Sequence, residues 1–234
     1  MGDHPRAINS FSMYIASPGL KPEYAADGYN NRGISQRALK RFDLASIDYS
    51  KAIALYPKHA RYYVNRGNAS SDLGKKQEAL EDYTRAISVD PKFALAYSNR
   101  GHYFANSGKP ELAHADLAKA IELDPTYAES YYTRALLYRS QKDYAKVVLD
   151  LDKYIALNPG SEPYLADGYL NRGIAYARLG KLDLAEKDMT QSIQVSPLYV
   201  DAYKARAAVY RQMKKDGLAS ADDRKAAELV ATPK

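Results

Sequence analysis

The sequence has no cysteine and no tryptophan. Without cysteine there can be no disulfide, no thiolate-bound zinc, no iron–sulfur cluster and no thiol chemistry. The compartment stays open, since cysteine-free chains persist in reducing and oxidising spaces alike. We expect cytoplasmic residence for an intact chain, and an exported or periplasmic one if a signal has been removed. Residues 1–27 contain no basic stretch followed by a continuous apolar one, so they do not read as a secretory signal. No apolar run approaches the roughly 18 residues of a spanning helix. Histidine is scarce: His4, His59, His102 and His114. Only His102 and His114 could approach one another across a helical hairpin, and no third ligand accompanies them, so no metal is expected.

Catalytic signatures are missing too. There is no dinucleotide fingerprint, no phosphate loop, no nucleophile elbow and no zinc-protease pair. The segments from Gly67 to Gly74-Lys75 and from Gly101 to Gly108-Lys109 look phosphate-loop-like, but their glycines stand two positions too far apart. We expect no enzyme and no cofactor. The net charge of +6 is spread along the chain with acids interleaved. A nucleic-acid binder concentrates such charge in one patch, so nucleic acid is not the expected partner.

What the chain does have is tyrosine, 22 of them in 234 residues, and a period. Asn31-Arg32-Gly33, Asn65-Arg66-Gly67 and Asn99-Arg100-Gly101 are each 34 apart. Thr133-Arg134-Ala135 keeps the register, Asn171-Arg172-Gly173 falls 38 on, and Ala205-Arg206-Ala207 follows after another 34. Six repeats result: 26–59, 60–93, 94–127, 128–161, then an insertion at 162–165, then 166–199 and 200–233. Numbering each repeat from 1, position 4 is Tyr29, Tyr63, Tyr97, Tyr131, Tyr169 and Tyr203. Position 8 is Gly or Ala, position 20 Ala or Val, and position 32 Pro in the first five (Pro57, Pro91, Pro125, Pro159, Pro197).

Positions 4, 7–8 and 11, and again 20, 24 and 27–28, recur at helical spacing, so each repeat reads as two helices, A and B. Gly74, Gly108 and Gly180 mark a turn at position 15. In an antiparallel hairpin turning there, positions 8 and 20 lie opposite, and small residues let the backbones approach. Position 7, always Arg, then meets position 23, always Asp: Arg32–Asp48, Arg66–Asp82, Arg100–Asp116, Arg134–Asp150, Arg172–Asp188 and Arg206–Asp222. An ion pair is expected in every repeat. If partly exposed, each is worth at most about 1 kcal/mol and sets register rather than stability. Asp90, Asp124, Asn158 and Ser196, each before a proline, read as N-caps for the next A helix.

This pattern resembles the tetratricopeptide repeat family, over nearly the whole chain. The resemblance implies an all-α right-handed solenoid of antiparallel helix hairpins, stacked because no repeat buries its face alone. Residues 1–25 add a segment whose residues 6–17 look like an orphan B helix: Tyr14-Ile15-Ala16 and Ala26-Asp27-Gly28-Tyr29 repeat as Tyr154-Ile155-Ala156 and Ala166-Asp167-Gly168-Tyr169, at an offset of 140. It is either a natural cap or the scar of a removed upstream part. The four-residue insertion adds about one turn to the following A helix, with Ser161 as its cap and Pro163 in its first turn. At the far end, Asp222-Asp223-Arg224-Lys225 gives the last B helix the polar face of a terminal cap.

By resemblance, a concave groove is lined by A-helix positions 2, 5, 9, 12 and 13. They supply Asn30, Ile34, Arg37, Val64, Asn68, Ser98, His102, Asn106, Tyr132, Leu136, Arg139, Leu170, Ile174, Arg178, Lys204 and Arg211. Tyr132, Leu136, Leu170 and Ile174 form an apolar strip, with Arg139, Arg178 and Arg211 on one side and Glu129, Asp167 and Asp201 on the other. A peptide with apolar and acidic anchors would suit it. The clamp by which some members hold chaperone C-terminal tails keeps two of its five residues, Asn68 and Asn99, and none of its cations, which argues against that partner. The expected function is a non-catalytic interaction scaffold or adaptor. Alternatives are an assembly or secretion chaperone, a regulatory domain cut from a larger enzyme and, further off, an RNA-binding helical repeat.

Overall fold

A computed structural model describes residues 3–158 and 164–231. Among these residues there are thirteen α-helices and no strand. They fall into two compact units, Met1–Asp124 and Pro125–Lys234.

In the first unit, α1 (His4–Ile15) packs on the hairpin of α2 (Pro22–Ala38) and α3 (Phe42–Leu55). The hairpins α4 (Ala60–Asp72) with α5 (Lys76–Val89), and α6 (Ala94–Asn106) with α7 (Pro110–Leu123), follow. In the second unit the pairs are α8 (Ala128–Ser140) with α9 (Tyr144–Leu157), α10 (Tyr164–Arg178) with α11 (Leu182–Val195), and α12 (Val200–Gln212) with α13 (Asp216–Ala231). Within each unit, B helices pack on the next A helix, and A helices also touch successive A helices. This is the stacking of a helical-repeat solenoid.

The hairpin turn has one solution in all six repeats. Position 15 is left-handed at Lys40, Gly74, Gly108, Lys142, Gly180 and Lys214, with φ between 59° and 74°. The next residue's N–H reaches back to the position 11 carbonyl, as Lys75 to Ser70 at 2.8 Å and Lys181 to Tyr176 at 2.9 Å. This bond ends the A helix and satisfies one of its orphan carbonyls. Glycine accepts that backbone freely, whereas the three lysines hold it against their Cβ.

The small residue at position 8 makes room chiefly for position 24, and for position 20 less directly. A Cβ on Gly33 would lie 2.7 Å from the Tyr49 ring, one on Gly67 2.7 Å from Tyr83, and one on Gly101 2.8 Å from Leu117. Position 20 contributes its backbone, the Ala79 carbonyl lying 3.2 Å from the same point at Gly67. At the N-terminal junction, Gly28 faces Ile15 and Tyr14 just as Gly168 faces Tyr154 and Ile155. The orphan B helix therefore exists, over His4–Ile15, and seats like its counterpart α9.

All six Arg–Asp pairs form, each with two parallel bonds of 2.6–2.9 Å. The pairs are partly exposed on one side: the arginine side chains keep 16–29% of their exposure, but the aspartates only 5–9%. Removing one partner would strand a charge in a mostly dry place. Five of the arginines use a third nitrogen to reach position 25 of the preceding repeat, or its N-terminal equivalent: Ser12, Ser50, Thr84, Asp152 and Thr190. Arg134 follows Ala118, which carries no acceptor. One guanidinium thus closes its own hairpin and ties it to its predecessor.

Position 4 accounts for six of the 22 tyrosines. The hydroxyls of Tyr63, Tyr131 and Tyr203 donate to the carbonyls of Pro57, Pro125 and Pro197 at 3.1–3.2 Å, pinning the turn between repeats. Their rings lie about 6 Å beneath the position 7 guanidinium.

The capping expectation is wrong. Asp90, Asp124, Asn158 and Ser196 end the preceding B helices, at their C-caps. The next A helices begin later, with Phe93, Tyr127 and Tyr199 at an N-cap that makes no side-chain bond. Asp90 turns inward on its own loop, accepting from the Lys92 N–H at 2.9 Å. The proline fixes this turn rather than starting a helix. The caps expected at Ser161 and Pro163 lie outside the described residues. The lengthened A helix is seen in α2, which has 17 residues, and in part in α10, with 15, against 13 in α4, α6, α8 and α12.

Candidate functional site

The A-helix residues expected to line a groove divide into three kinds. Asn30, Val64, Ser98 and Leu170, all at position 5, are buried. That position packs between repeats and offers little to a ligand. A second kind is spent on bonds within the protein, some from one A helix to the next and some within a hairpin or a single helix. Asn65 donates to Asn30 at 2.7 Å, and Asn99 to Asn68 at 3.0 Å. Asn68 also accepts from the Tyr83 hydroxyl at 2.8 Å. The two asparagines that match a chaperone-tail clamp are thus bonded to each other. Arg37 pairs with Asp72 at 2.6 Å, Arg139 bonds Asn171, and Arg211 pairs with Asp223. His102 bonds Asn106 at 2.9 Å.

Tyr132 belongs to this second kind. Its hydroxyl donates to Asp167, and its ring packs on Tyr154 with centroids 4.9 Å apart. Burial, reinforced by the bond to Asp167, holds its ionisation above the ordinary tyrosine range. The residue joins α8 to α10 instead of standing free as an anchor.

The third kind remains available: Ile34, partly exposed Leu136 and Ile174, and the exposed cations Arg178 and Lys204. Among the described residues neither Arg178 nor Lys204 has a hydrogen bond or ion pair. In the second unit an open cavity of about 460 Å³ lies between α10 and α12. Ile174, Ala177, Met189, Ala205, Ala208 and Val209 line it, with Arg178 and Gln212 at its polar side. In the first unit, a cavity of about 520 Å³ includes Ile34 and Phe42, with Lys40 and the ion pair of Arg37 and Asp72 in its lining. A smaller one of about 100 Å³ gathers Asn99, His102 and Asn106.

Sequence reasoning missed two sets. The position 25 oxygens form a readable column, Ser50, Thr84, Asp152 and Thr190, but they act across repeats, and the hairpin geometry considers one repeat at a time. It also missed Tyr164, Leu198 and Tyr199, which surround Asp167. The offset of 140 places Tyr164 beside Asp167 in sequence, yet says nothing of Leu198.

The fold defines a class: antiparallel helix hairpins stacked as a helical-repeat solenoid. The tetratricopeptide repeat pattern matches residues 26–59, 60–93, 94–127, 117–148 and 166–197, more than half of the chain. The chain belongs to the tetratricopeptide repeat family, in general a non-catalytic interaction repeat whose members bind proteins or peptides. No curated protein matches it. Among solved structures, it is similar to the APC/C hetero-tetramer Cut9–Hcn1, with 18% identity and a TM-score of 0.79 over 99% of this chain, which spans 44% of that one. It is similar to pilF of Pseudomonas aeruginosa, with 16% identity and a TM-score of 0.79 over 89% of this chain and 93% of that one. It is also similar to YrrB, described as a TPR protein with an unusual peptide-binding site, with 20% identity and a TM-score of 0.60 over 85% and 98%. At these identities the likeness is one of fold. No described helix is long and apolar enough to cross a membrane.

Proposed function

We propose that the chain is a non-catalytic scaffold that holds a peptide segment of a partner protein on the A-helix face of its second unit, over α10 and α12. The observation that carries this is a cavity with apolar side chains in its lining beside a cation that pairs with no described residue. Ile174, Ala205 and Ala208 offer surface that an apolar side chain would cover, and Arg178 offers a charge that no described neighbour neutralises. Exposed Lys204 adds a second unpaired cation on the same helical layer. The other cations of this face are engaged within the protein, so they shape the surface more than they bind. The segment that fits carries one apolar anchor and one acid.

The peptide-binding site named for YrrB supports the reading by fold alone. An assembly chaperone would use the same face for its client. Selection from a random peptide display library on the full chain tests the proposal. Enriched sequences should combine an apolar residue with Asp or Glu, and should lose binding on Ile174→Asp. Enrichment that is equal on Ile174→Asp would overturn it.

A further inference from the structure

At the N-terminal end of α10, Asp167 occupies an unusual place. Its Oδ1 accepts from the Tyr199 hydroxyl at 2.8 Å, and its Oδ2 accepts from the Tyr132 hydroxyl. Both donors are neutral. Among the described residues no Lys, Arg or His pairs with it, and residues 159–163 contain none of these. Its neighbours elsewhere on the fold differ: every position 23 aspartate has an arginine. A carboxylate held by two phenols in the first turn of α10, with no ion-pair partner among the described residues, keeps a net negative charge. Each oxygen also keeps a free lone pair, since a carboxylate can accept about four bonds.

That charge opens onto a cavity. About 420 Å³ lie between Tyr164, Ala166, Asp167, Ser196, Leu198 and Tyr199. Tyr164 is 63% exposed and Leu198 75%, both large apolar side chains standing at the rim. Tyr164, Leu198 and Tyr199 give this carboxylate aromatic and aliphatic neighbours. Aromatic faces attract cations in their own right. A guanidinium or ammonium would find charge, acceptors and a ring face together, with its aliphatic stem against Leu198.

We infer that this cavity is a receptor for a basic side chain, an arginine or lysine of the bound segment. The inference rests on the groove reading only for the origin of that side chain. Asp167 and Arg178 stand eleven residues apart on one helix, about 16 Å along its axis. A segment lying along α10 is then oriented by charge, its base at the Tyr164 end and its acid at the Arg178 end. Asp27, the equivalent residue of the first repeat, takes only the Tyr62 hydroxyl, at 2.6 Å, and has His59 where Asp167 has Tyr199.

The absence of tryptophan supplies the test. Tyr164→Trp puts a single indole at the cavity rim, on a side chain exposed enough to tolerate it. The probes are Nα-acetyl-L-arginine amide and its uncharged citrulline analogue, titrated at constant ionic strength. The arginine probe should change the indole emission saturably, and the citrulline probe should bind at least tenfold more weakly. Adding Asp167→Asn should weaken the arginine probe at least tenfold. Equal responses to the two probes, no response to either, or an arginine affinity unchanged by Asp167→Asn would each overturn the proposal. If Asp167→Asn does not fold, the two-probe comparison still decides. Ile174→Asp should leave the arginine response intact, which separates failure of this site from failure of the peptide groove.

Discussion

Arg66 reaches across its hairpin to Asp82 with two parallel bonds, Nε to Oδ2 at 2.9 Å and Nη2 to Oδ1 at 2.7 Å. Its remaining terminal nitrogen bonds the Ser50 hydroxyl of the preceding repeat at 3.2 Å. The planar fork matches the carboxylate, which an ammonium cannot do. Asp82 is buried, and that burial pushes its ionisation upward against the pull of Arg66. Arg66→Ala would leave the carboxylate unpaired. It should cost about 2–3 kcal/mol, below the value for a fully buried pair because the arginine is partly exposed. Arg66→Lys should recover less than half of this. Denaturant unfolding followed by helical circular dichroism measures both.

Lys142 holds a left-handed backbone, with φ of 61°, where Gly74, Gly108 and Gly180 serve in other repeats. Lys142→Gly should remove a Cβ clash without disturbing any packed side chain. A gain of up to about 1 kcal/mol is expected, less than the full left-handed penalty because glycine is freer when unfolded. The same change at Lys40 or Lys214 should act alike. An unfolding midpoint that falls for all three would contradict the turn argument.

Tyr49 and Tyr83 sit against Gly33 and Gly67, and burial raises their ionisation above the ordinary value of 10.0. The unfolded chain loses these protons above about pH 10, while the folded chain keeps them. Folded protein therefore binds more protons there, and stability must fall as pH rises. Below pH 10 neither state ionises and the effect vanishes. Alkaline titration should show tyrosinate absorbance rising in two stages, exposed residues first and the buried ones together with loss of helix. A single stage with helix retained would contradict this.

Much of this was legible from columns of residues. Position 7 with position 23, and Gly or Ala at position 8, follow from a hairpin that brings fixed sums of position together. The orphan helix followed from the offset of 140. What failed depends on chain direction and neighbours. Asp90-Pro91 reads equally well as the start of one helix or the end of another, and only the length of the turn decides. Tyr132 looked available because its position faces outward within its own repeat, but Asp167 on the next A helix takes its hydroxyl. Leu170 sits at a family groove position and is buried by its neighbours. Contacts between successive repeats are set by stacking geometry, which a single-repeat pattern does not encode.

The central claim is that the face of α10 and α12 binds a partner segment through an apolar anchor beside Arg178. It is tested most directly by the affinity of one display-selected peptide for wild-type, Ile174→Asp and Arg178→Glu proteins. Burying one aliphatic side chain contributes about 1.5–3 kcal/mol, so Ile174→Asp should weaken binding at least tenfold at any salt concentration. Arg178→Glu, on an exposed residue, should leave stability unchanged and weaken binding most at low salt, where charges are least screened. Wild-type affinity in both variants, with both proteins folded, would contradict the account.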